Sequence, residues 1–159
     1  MPAILRSRSF AALSILLAAA VAAAMFAFSS SADAATRSQR VANALQVVKA
    51  QKGDPYVYGA TGPNKFDCSG LIYYAYRKAG FTNIPRTSSD QARAAHRIPR
   101  SQMRKGDLMF FYGSGGVYHV GVYAGTKNGH RYLIHAPNSG ERVHRERVWT
   151  NSWYAGTLR

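Results

Sequence analysis

Apolar residues follow more than one spacing along the chain, and the first spacing indicates a leader segment. Residues 10–28 are almost continuously apolar; Arg6 and Arg8 precede them, and the triplet Ala32-Asp33-Ala34 follows. A basic start, an apolar run and a small-x-small site are typical of a secretory signal peptide, with cleavage after Ala34. The run is also close to the length of a membrane-spanning helix, so an uncleaved anchor is the alternative.

We therefore expect a signal peptide at residues 1–34 and a folded domain at residues 35–159. In the first half of this domain, apolar residues recur at helical intervals, which predicts a first helix that begins near Thr36 or Ser38 and ends at Gly53. Two further helices are predicted, at residues 68–79 and 89–95.

The helix predicted at residues 68–79 has the clearest boundaries. Asp67 is a good N-cap residue, and Gly80 is a good C-terminal stop. Cys68 lies in the first turn, on the same apolar stripe as Leu71 and the residues that follow it at helical spacing. The thiol is therefore expected to point toward whatever this helix packs against.

The second half of the domain is rich in β-branched and aromatic residues separated by turns that contain glycine. Strands are predicted at residues 108–112, 117–124, 131–136 and 149–158. Helices followed by strands with short connections predict an α+β fold, in which N-terminal helices pack on a central antiparallel sheet.

Composition and charge narrow the class of protein. With 47% hydrophobic residues the chain is not a disordered one, and its 21 Lys and Arg against 7 Asp and Glu give a formal charge of +14. An excess of positive charge suggests an anionic partner, but a leader for export and the absence of a nucleic-acid-reading motif argue against nucleic acid. Cys68 is the single cysteine, so an exported chain keeps a free thiol that needs an explanation.

Two histidines suggest a reason why an exported chain would keep a free thiol. On the strand at 117–124, His119 is expected to share a face with Val117 and Gly121, and a neighbouring strand can place His135 beside it. If the first turn of the Cys68 helix meets His119, the helix N-terminus and an imidazolium both favour the thiolate. We then expect an ion pair in which His119 later protonates the leaving amine while His135 orients its ring.

Other interpretations of these residues stay open at this point. A lone cysteine is often an inert buried side chain, and a histidine on a strand is often a partly buried aromatic residue. A zinc site is possible from the residue types, but no close ligand pair such as C-x-x-C is present, so no metal and no organic cofactor are expected. The remaining histidines, His96, His130 and His144, are expected at the surface.

An ordered series of motifs carries more information than the single residues. The motifs are Asp54-Pro55-Tyr56-Val57-Tyr58-Gly59, Phe66-Asp67-Cys68-Ser69-Gly70-Leu71, Pro85-Arg86-Thr87-Ser88, Lys105-Gly106-Asp107-Leu108, His119-Val120-Gly121-Val122-Tyr123 and Ile134-His135-Ala136. From about Val41 to the C-terminus, this series resembles the NlpC/P60 family of papain-like cysteine peptidases. Ala60 departs from the family pattern, where a second glycine is usual after Gly59.

Carried over by position, the resemblance implies catalytic roles for three residues. Cys68 matches the nucleophile, His119 the general base and acid, and His135 the polar residue that orients His119. The domain at residues 35–159 would then be a catalytic domain with a papain-like fold.

Four further residues match family positions around the substrate. Tyr56 corresponds to a tyrosine near the oxyanion or the substrate. Asp67 and Ser69 flank the nucleophile, where they would shape the pocket for the acyl side of the substrate. Arg86 belongs to a family motif whose role is less defined.

The resemblance also implies an activity and a location. Members of this family cleave peptidoglycan stem peptides, commonly at the γ-D-glutamyl–meso-diaminopimelate bond, and the D-Ala–diaminopimelate crosslink is the alternative. Another amidase or acyltransferase, or a non-catalytic wall-binding protein, is compatible with the same scaffold. We expect a monomer that is secreted or cell-wall associated, has no stable membrane insertion after signal cleavage, and is attracted to peptidoglycan and anionic wall polymers.

Overall fold

The structure is a computed structural model that describes residues 36–158. The signal peptide expected at residues 1–34 lies outside these described residues, so its prediction is untested. Within residues 36–158, no helix has the length and hydrophobicity that a membrane span requires.

Three α-helices lie in the described chain, all of them N-terminal to the sheet. The described part of α1 covers residues 36–50, α2 covers Cys68–Lys78, and α3 covers Ser88–Ala94. α2 begins where the sequence predicts because the side chain of Asp67 accepts a hydrogen bond from the backbone N–H of Gly70. The three predicted helices are confirmed, with ends that differ by a residue or two.

The strands form one antiparallel sheet. They are β1 (His96–Ile98), β2 (Leu108–Gly113), β3 (Gly116–Lys127), β4 (His130–His135), β5 (His144–Arg147) and β6 (Trp153–Thr157), and a 3-10 helix (Arg100–Gln102) follows β1. Their order in the sheet is β1-β6-β2-β3-β4-β5. Every neighbouring pair is antiparallel, which confirms the α+β fold.

Two strands were not predicted, and one predicted strand is shorter than expected. β1 and β5 are the two edge strands of the sheet. The final strand begins at Trp153, so Trp149 lies outside the strand that was predicted at residues 149–158. The sequence HRER of β5 lacks apolar alternation, because this strand is held by its pairing with β4 rather than by a buried face of its own.

Both faces of the sheet are covered. On one face, the buried stripes of α1 and α2 pack on residues of β2, β3 and β4 such as Phe110, Val122 and Ile134. On the other face, Met109, Phe111, Tyr123, Leu133, Trp153 and Ala155 form a second buried cluster. Buried side chains on both faces hold β3 rigidly in the middle of the sheet.

A β-bulge in β3 alters one predicted side-chain orientation. The register of β3 on β2 shifts so that Tyr118 is an extra residue with no partner opposite it. Val117 therefore packs with Val120 in the helix-facing core, whereas His119 lies on the other face with Gly121. The prediction that Val117 shares a face with His119 is wrong, because one inserted residue reverses the alternation.

Candidate active site

A cavity of about 420 Å³ lies next to the first turn of α2. Four residues singled out from the sequence line it together: Tyr56, Cys68, His119 and His135. Its other lining residues are Tyr118, Pro137, Asn138, Glu141, Glu146 and Trp149. Residues that are far apart in the sequence thus meet at one opening, which is the arrangement expected of a catalytic site.

The backbone around α2 fixes the position of Cys68. A Cβ atom at Gly70 would collide with the carbonyl oxygen of Ala60, so the loop before the helix packs directly on its first turn. The backbone N–H groups of Ser69 and Val120 lie beside the thiol and favour its charged form. Because Val120 follows His119 in β3, this contact also brings the helix terminus to the strand that carries the histidine.

His119 and His135 form a directly bonded pair. The Nε2 atom of His119 lies 2.8 Å from the Nδ1 atom of His135, and the two rings meet edge to face with centroids 5.0 Å apart. Gly121 provides the space for this contact, since a Cβ atom there would lie 3.2 Å from the Cβ atom of His135. The bond leaves Nδ1 of His119 as the ring nitrogen that can exchange a proton with a thiol.

Burial controls the protonation of this group. Burial lowers the pKa of His119 to about 4, and burial together with the neighbouring histidines lowers the pKa of His135 to about 3. Burial also raises the pKa of the Cys68 thiol, more than the nearby N–H groups lower it. The structure therefore favours a neutral thiol and a neutral imidazole in the same cavity, instead of the ion pair expected from the helix N-terminus.

Trp149 covers the two histidines and was not predicted as a site residue. Its ring stacks on Phe111 with centroids 4.5 Å apart and on His135 at 5.5 Å, while 48% of the residue stays exposed. An aromatic wall of this kind restricts the imidazole orientations and shields them from water. The sequence offered one signal for this role, since Trp149 is a large aromatic residue in an otherwise polar segment.

Tyr56 lines the same cavity as the thiol. Its backbone N–H donates to the carbonyl oxygen of Glu141 over 2.9 Å, which ties the segment before α2 to the loop after β4. Burial and the nearby Cys68 raise the pKa of the Tyr56 hydroxyl, so the group is a neutral hydrogen-bond donor at physiological pH.

Asp67, Ser69 and Arg86 form a separate network beneath the first turn of α2 and do not line the cavity. Arg86 donates through Nη1 and Nη2 to the two carboxylate oxygens of Asp67, over 3.0 and 2.5 Å, and also donates to Ser69 Oγ over 3.0 Å. The same carboxylate accepts from the backbone N–H of Gly59 at 2.9 Å. Arg86 thereby holds the N-cap residue of the nucleophile helix in place.

A second group of titratable side chains lies behind the histidine pair. Glu146 Oε2 is 2.9 Å from His135 Nε2, although the N–H of that nitrogen does not point at the carboxylate closely enough to make a hydrogen bond. His144 keeps 41% of its side chain exposed, as its predicted surface position requires, and its ring centroid lies 5.2 Å from that of His135. Its strand pairs with β4 and carries it next to the site. His96 and His130 are exposed, as predicted.

Comparisons with known proteins identify the family of this chain. The family model described as NlpC/P60 family matches residues 53–159. A protein named probable endopeptidase from Corynebacterium glutamicum strain R is 43% identical over 121 residues, which cover 76% of this chain and 53% of that protein. The chain spans about half the length of the curated relatives it matches.

Solved structures give the same answer for the fold. The peptidoglycan hydrolase RipB of Mycobacterium tuberculosis has a TM-score of 0.66 and 31% identity, over 78% of this chain and 67% of that one. RipD of the same organism is titled a non-catalytic NlpC/p60 domain protein adapted to peptidoglycan binding. It has a TM-score of 0.62 and 28% identity, over 76% of this chain and 98% of that one. By sequence and by fold, the chain belongs to the NlpC/P60 family.

Proposed function

We propose that this chain is a cysteine endopeptidase that hydrolyses peptidoglycan stem peptides. The observation that carries the proposal is one cavity lined by Cys68, His119 and His135, in which His119 Nε2 lies 2.8 Å from His135 Nδ1. A nucleophile, a base and a group that orients the base are the minimum set for acyl transfer through a covalent intermediate.

In the first half of the reaction, Nδ1 of His119 takes the proton from the Cys68 thiol as the sulfur attacks the scissile carbonyl carbon. His135 accepts the Nε2–H of His119 through its own Nδ1, which keeps the lone pair of His119 directed at the thiol. Backbone N–H groups in the first turn of α2 and the Tyr56 hydroxyl stabilise the oxyanion. The C–N bond then breaks, and the leaving amine receives the proton held by His119.

In the second half, the thioester on Cys68 is hydrolysed. His119, neutral again, takes a proton from a water molecule as this water attacks the acyl carbon, and the proton passes to the departing sulfur. Because burial lowers the pKa of His119 to about 4, the ring is neutral at physiological pH and its Nδ1 is unprotonated at the start of each stage.

The substrate class follows from the family and from charge. We propose the γ-D-glutamyl–meso-diaminopimelate bond as the scissile bond, with the D-Ala–diaminopimelate crosslink as the alternative. Stem peptides carry carboxylates, and a chain with a formal charge of +14 attracts them to its surface. We further propose that residues 1–34 direct export and that the protein acts as a secreted or wall-associated monomer.

Non-catalytic wall binding is the second candidate, favoured by the similarity to RipD. The bonded His119–His135 pair and the thiol that lines the same cavity count against it, because binding alone requires none of these three groups. Another amidase or an acyltransferase would use the same residues on a different acyl donor. The reaction products distinguish these candidates.

The test is digestion of purified peptidoglycan with the wild-type protein and with Cys68→Ala, followed by mass spectrometry of the released peptides. We expect fragments that end in γ-D-glutamate from the wild type, and a rate at least about 10³-fold lower from the variant. Cys68→Ser serves as the matched control for shape, and equal unfolding midpoints would show that both variants keep the fold.

Identical fragments from wild type and Cys68→Ala would exclude the peptidase proposal. Binding to peptidoglycan without any released peptide would favour the wall-binding candidate. Fragments that end in D-alanine would show that the scissile bond is the crosslink, and the proposed mechanism would be unchanged.

A further inference from the structure

His135, His144 and Glu146 form a cluster behind the catalytic pair that the proposed reaction does not fully use. β4 and β5 place His135 directly opposite His144, and Glu146 lies two residues further along β5 on the same face. One ligand atom from each of the three side chains lies within 4.8 Å of the others. The pairing of β4 with β5 thus brings three side chains that can bind a metal close together.

The free ring nitrogens of the two histidines match the needs of a metal. His144 Nδ1 lies 2.8 Å from the carbonyl oxygen of Arg142 and donates to it, which leaves the lone pair on Nε2. A second-sphere bond of this kind orients metal-binding histidines in proteins. His135 is 1% exposed, and its Nε2 has no hydrogen-bond partner in the described chain.

The distances suit a small transition-metal ion. His135 Nε2 and His144 Nε2 lie 2.9 and 3.8 Å from Glu146 Oε2. Tetrahedral zinc bonds of about 2.1 Å place neighbouring ligand atoms roughly 3.4 Å apart, so small side-chain rotations suffice. Two imidazoles and one carboxylate favour Zn²⁺ over Mg²⁺ or Ca²⁺, which prefer oxygen ligands. The carboxylate also offsets the positive charge of the surrounding protein.

We propose that His135, His144 and Glu146 bind one Zn²⁺ ion and that its binding reversibly inhibits the peptidase. The inhibition rests on the proposed function, whereas the metal site does not. In the active form, His119 must donate its Nε2–H to Nδ1 of His135, so the proton of His135 is on Nε2.

Zinc bound to Nε2 of His135 reverses this arrangement. The neutral ring of His135 then carries its proton on Nδ1 and donates it to Nε2 of His119. His119 in turn carries its proton on Nδ1, the nitrogen that faces the thiol, so this nitrogen has no lone pair with which to accept the proton of Cys68. No proton is gained or lost, but both rings change tautomer and the base is blocked.

Calorimetric titration of the protein with zinc chloride tests the site without reference to activity. The Cys68→Ala variant removes the thiol, which is the competing zinc ligand in the cavity. We expect this variant to bind one Zn²⁺, and His144→Ala and His144→Gln to bind it at least about tenfold more weakly. His130→Ala removes an exposed histidine at the other end of β4 and is the matched control with unchanged binding.

Peptidoglycan digestion then tests the inhibition. In the presence of EDTA, wild type and both His144 variants are expected to act at the same rate. Micromolar zinc should inhibit the wild type and leave the His144 variants active, and excess EDTA should restore the wild type.

Two outcomes would overturn the metal proposal. In the first, zinc binding is lost in Cys68→Ala and kept in both His144 variants, which would place the metal on the thiol. In the second, zinc inhibits wild type and His144 variants equally. A wild type that digests nothing in EDTA but binds zinc through His144 would instead refute the proposed function and leave the site standing.

Discussion

At Cys68, burial and the backbone act on the pKa of the thiol in opposite directions. Burial raises it, and the N–H groups of Val120 and Ser69 lower it by less. His119 cannot supply a compensating positive charge, because burial holds its pKa at about 4. In the proposed mechanism, the thiolate is therefore not stored beforehand, but forms by proton transfer to His119 as the sulfur attacks the substrate.

Alkylation by iodoacetamide measures this state directly, since Cys68 is the single cysteine of the sequence. Thiol reactivity follows the thiolate fraction, so a raised pKa predicts a rate that increases about tenfold per pH unit between about pH 6 and 9. Between about pH 5 and 7 the alkylation rate is expected to be low. His119 is neutral in this range, so no imidazolium stabilises the thiolate.

The control is His119→Ala, in which the rate should follow pH with the same shape. A preformed ion pair would behave differently: the wild type would react at a constant rate across the neutral range, and the variant would lose that plateau. Such a plateau would refute the neutral resting pair.

The position of helix α2 depends on a close backbone approach. Gly70 packs on the carbonyl oxygen of Ala60, and that same oxygen accepts from the backbone N–H of Asp67 at 3.0 Å. The loop and the first turn therefore hold each other in a single arrangement, with Cys68 between Asp67 and Gly70. Any side chain at position 70 must separate them.

Gly70→Ala is expected to lower the free energy of unfolding by about 2–3 kcal/mol, because its methyl group meets backbone atoms that cannot rotate away. Chemical denaturation of the purified protein measures this loss. Gly113→Ala is the matched control: nothing lies within 4 Å of a Cβ atom there, and a change below about 0.5 kcal/mol is expected. Equal stability of both variants would contradict the close packing.

The elements differ in how well the sequence predicts them. α2 is predicted almost to the residue because cap, apolar stripe and glycine stop coincide, and the neighbouring strands that carry His119 and His135 show clear β-patterns. β5 has no apolar alternation and exists through its pairing with β4, so the positions of His144 and Glu146 could not be anticipated. The bulge at Tyr118 adds one residue to β3 and changes nothing in the hydrophobic pattern of the sequence. The predicted orientation of Val117 was wrong for this reason.

At the scale of the whole molecule, basic and acidic side chains of the described residues differ in how much of each is buried. Most basic side chains of the described residues are exposed. Two of the acidic ones are buried: Asp67 is 6% exposed and paired with Arg86, and Asp107 is 1% exposed and accepts from Thr157 Oγ1 at 2.7 Å. An anionic polymer therefore meets a surface on which exposed Lys and Arg outnumber exposed Asp and Glu.

This distribution predicts that electrostatic attraction holds the protein on isolated cell walls. The Debye length falls from about 10 Å at 0.1 M salt to about 3 Å at 1 M, so bound protein should decrease steeply over that range in a sedimentation assay. The Cys68→Ala variant suits this measurement, because it does not digest its support. Walls stripped of anionic polymers should bind less at low salt, since fewer negative charges remain. Binding that is equal at both salt concentrations would show that specific contacts in the substrate cavity, rather than the charge of the whole molecule, retain the protein on the wall.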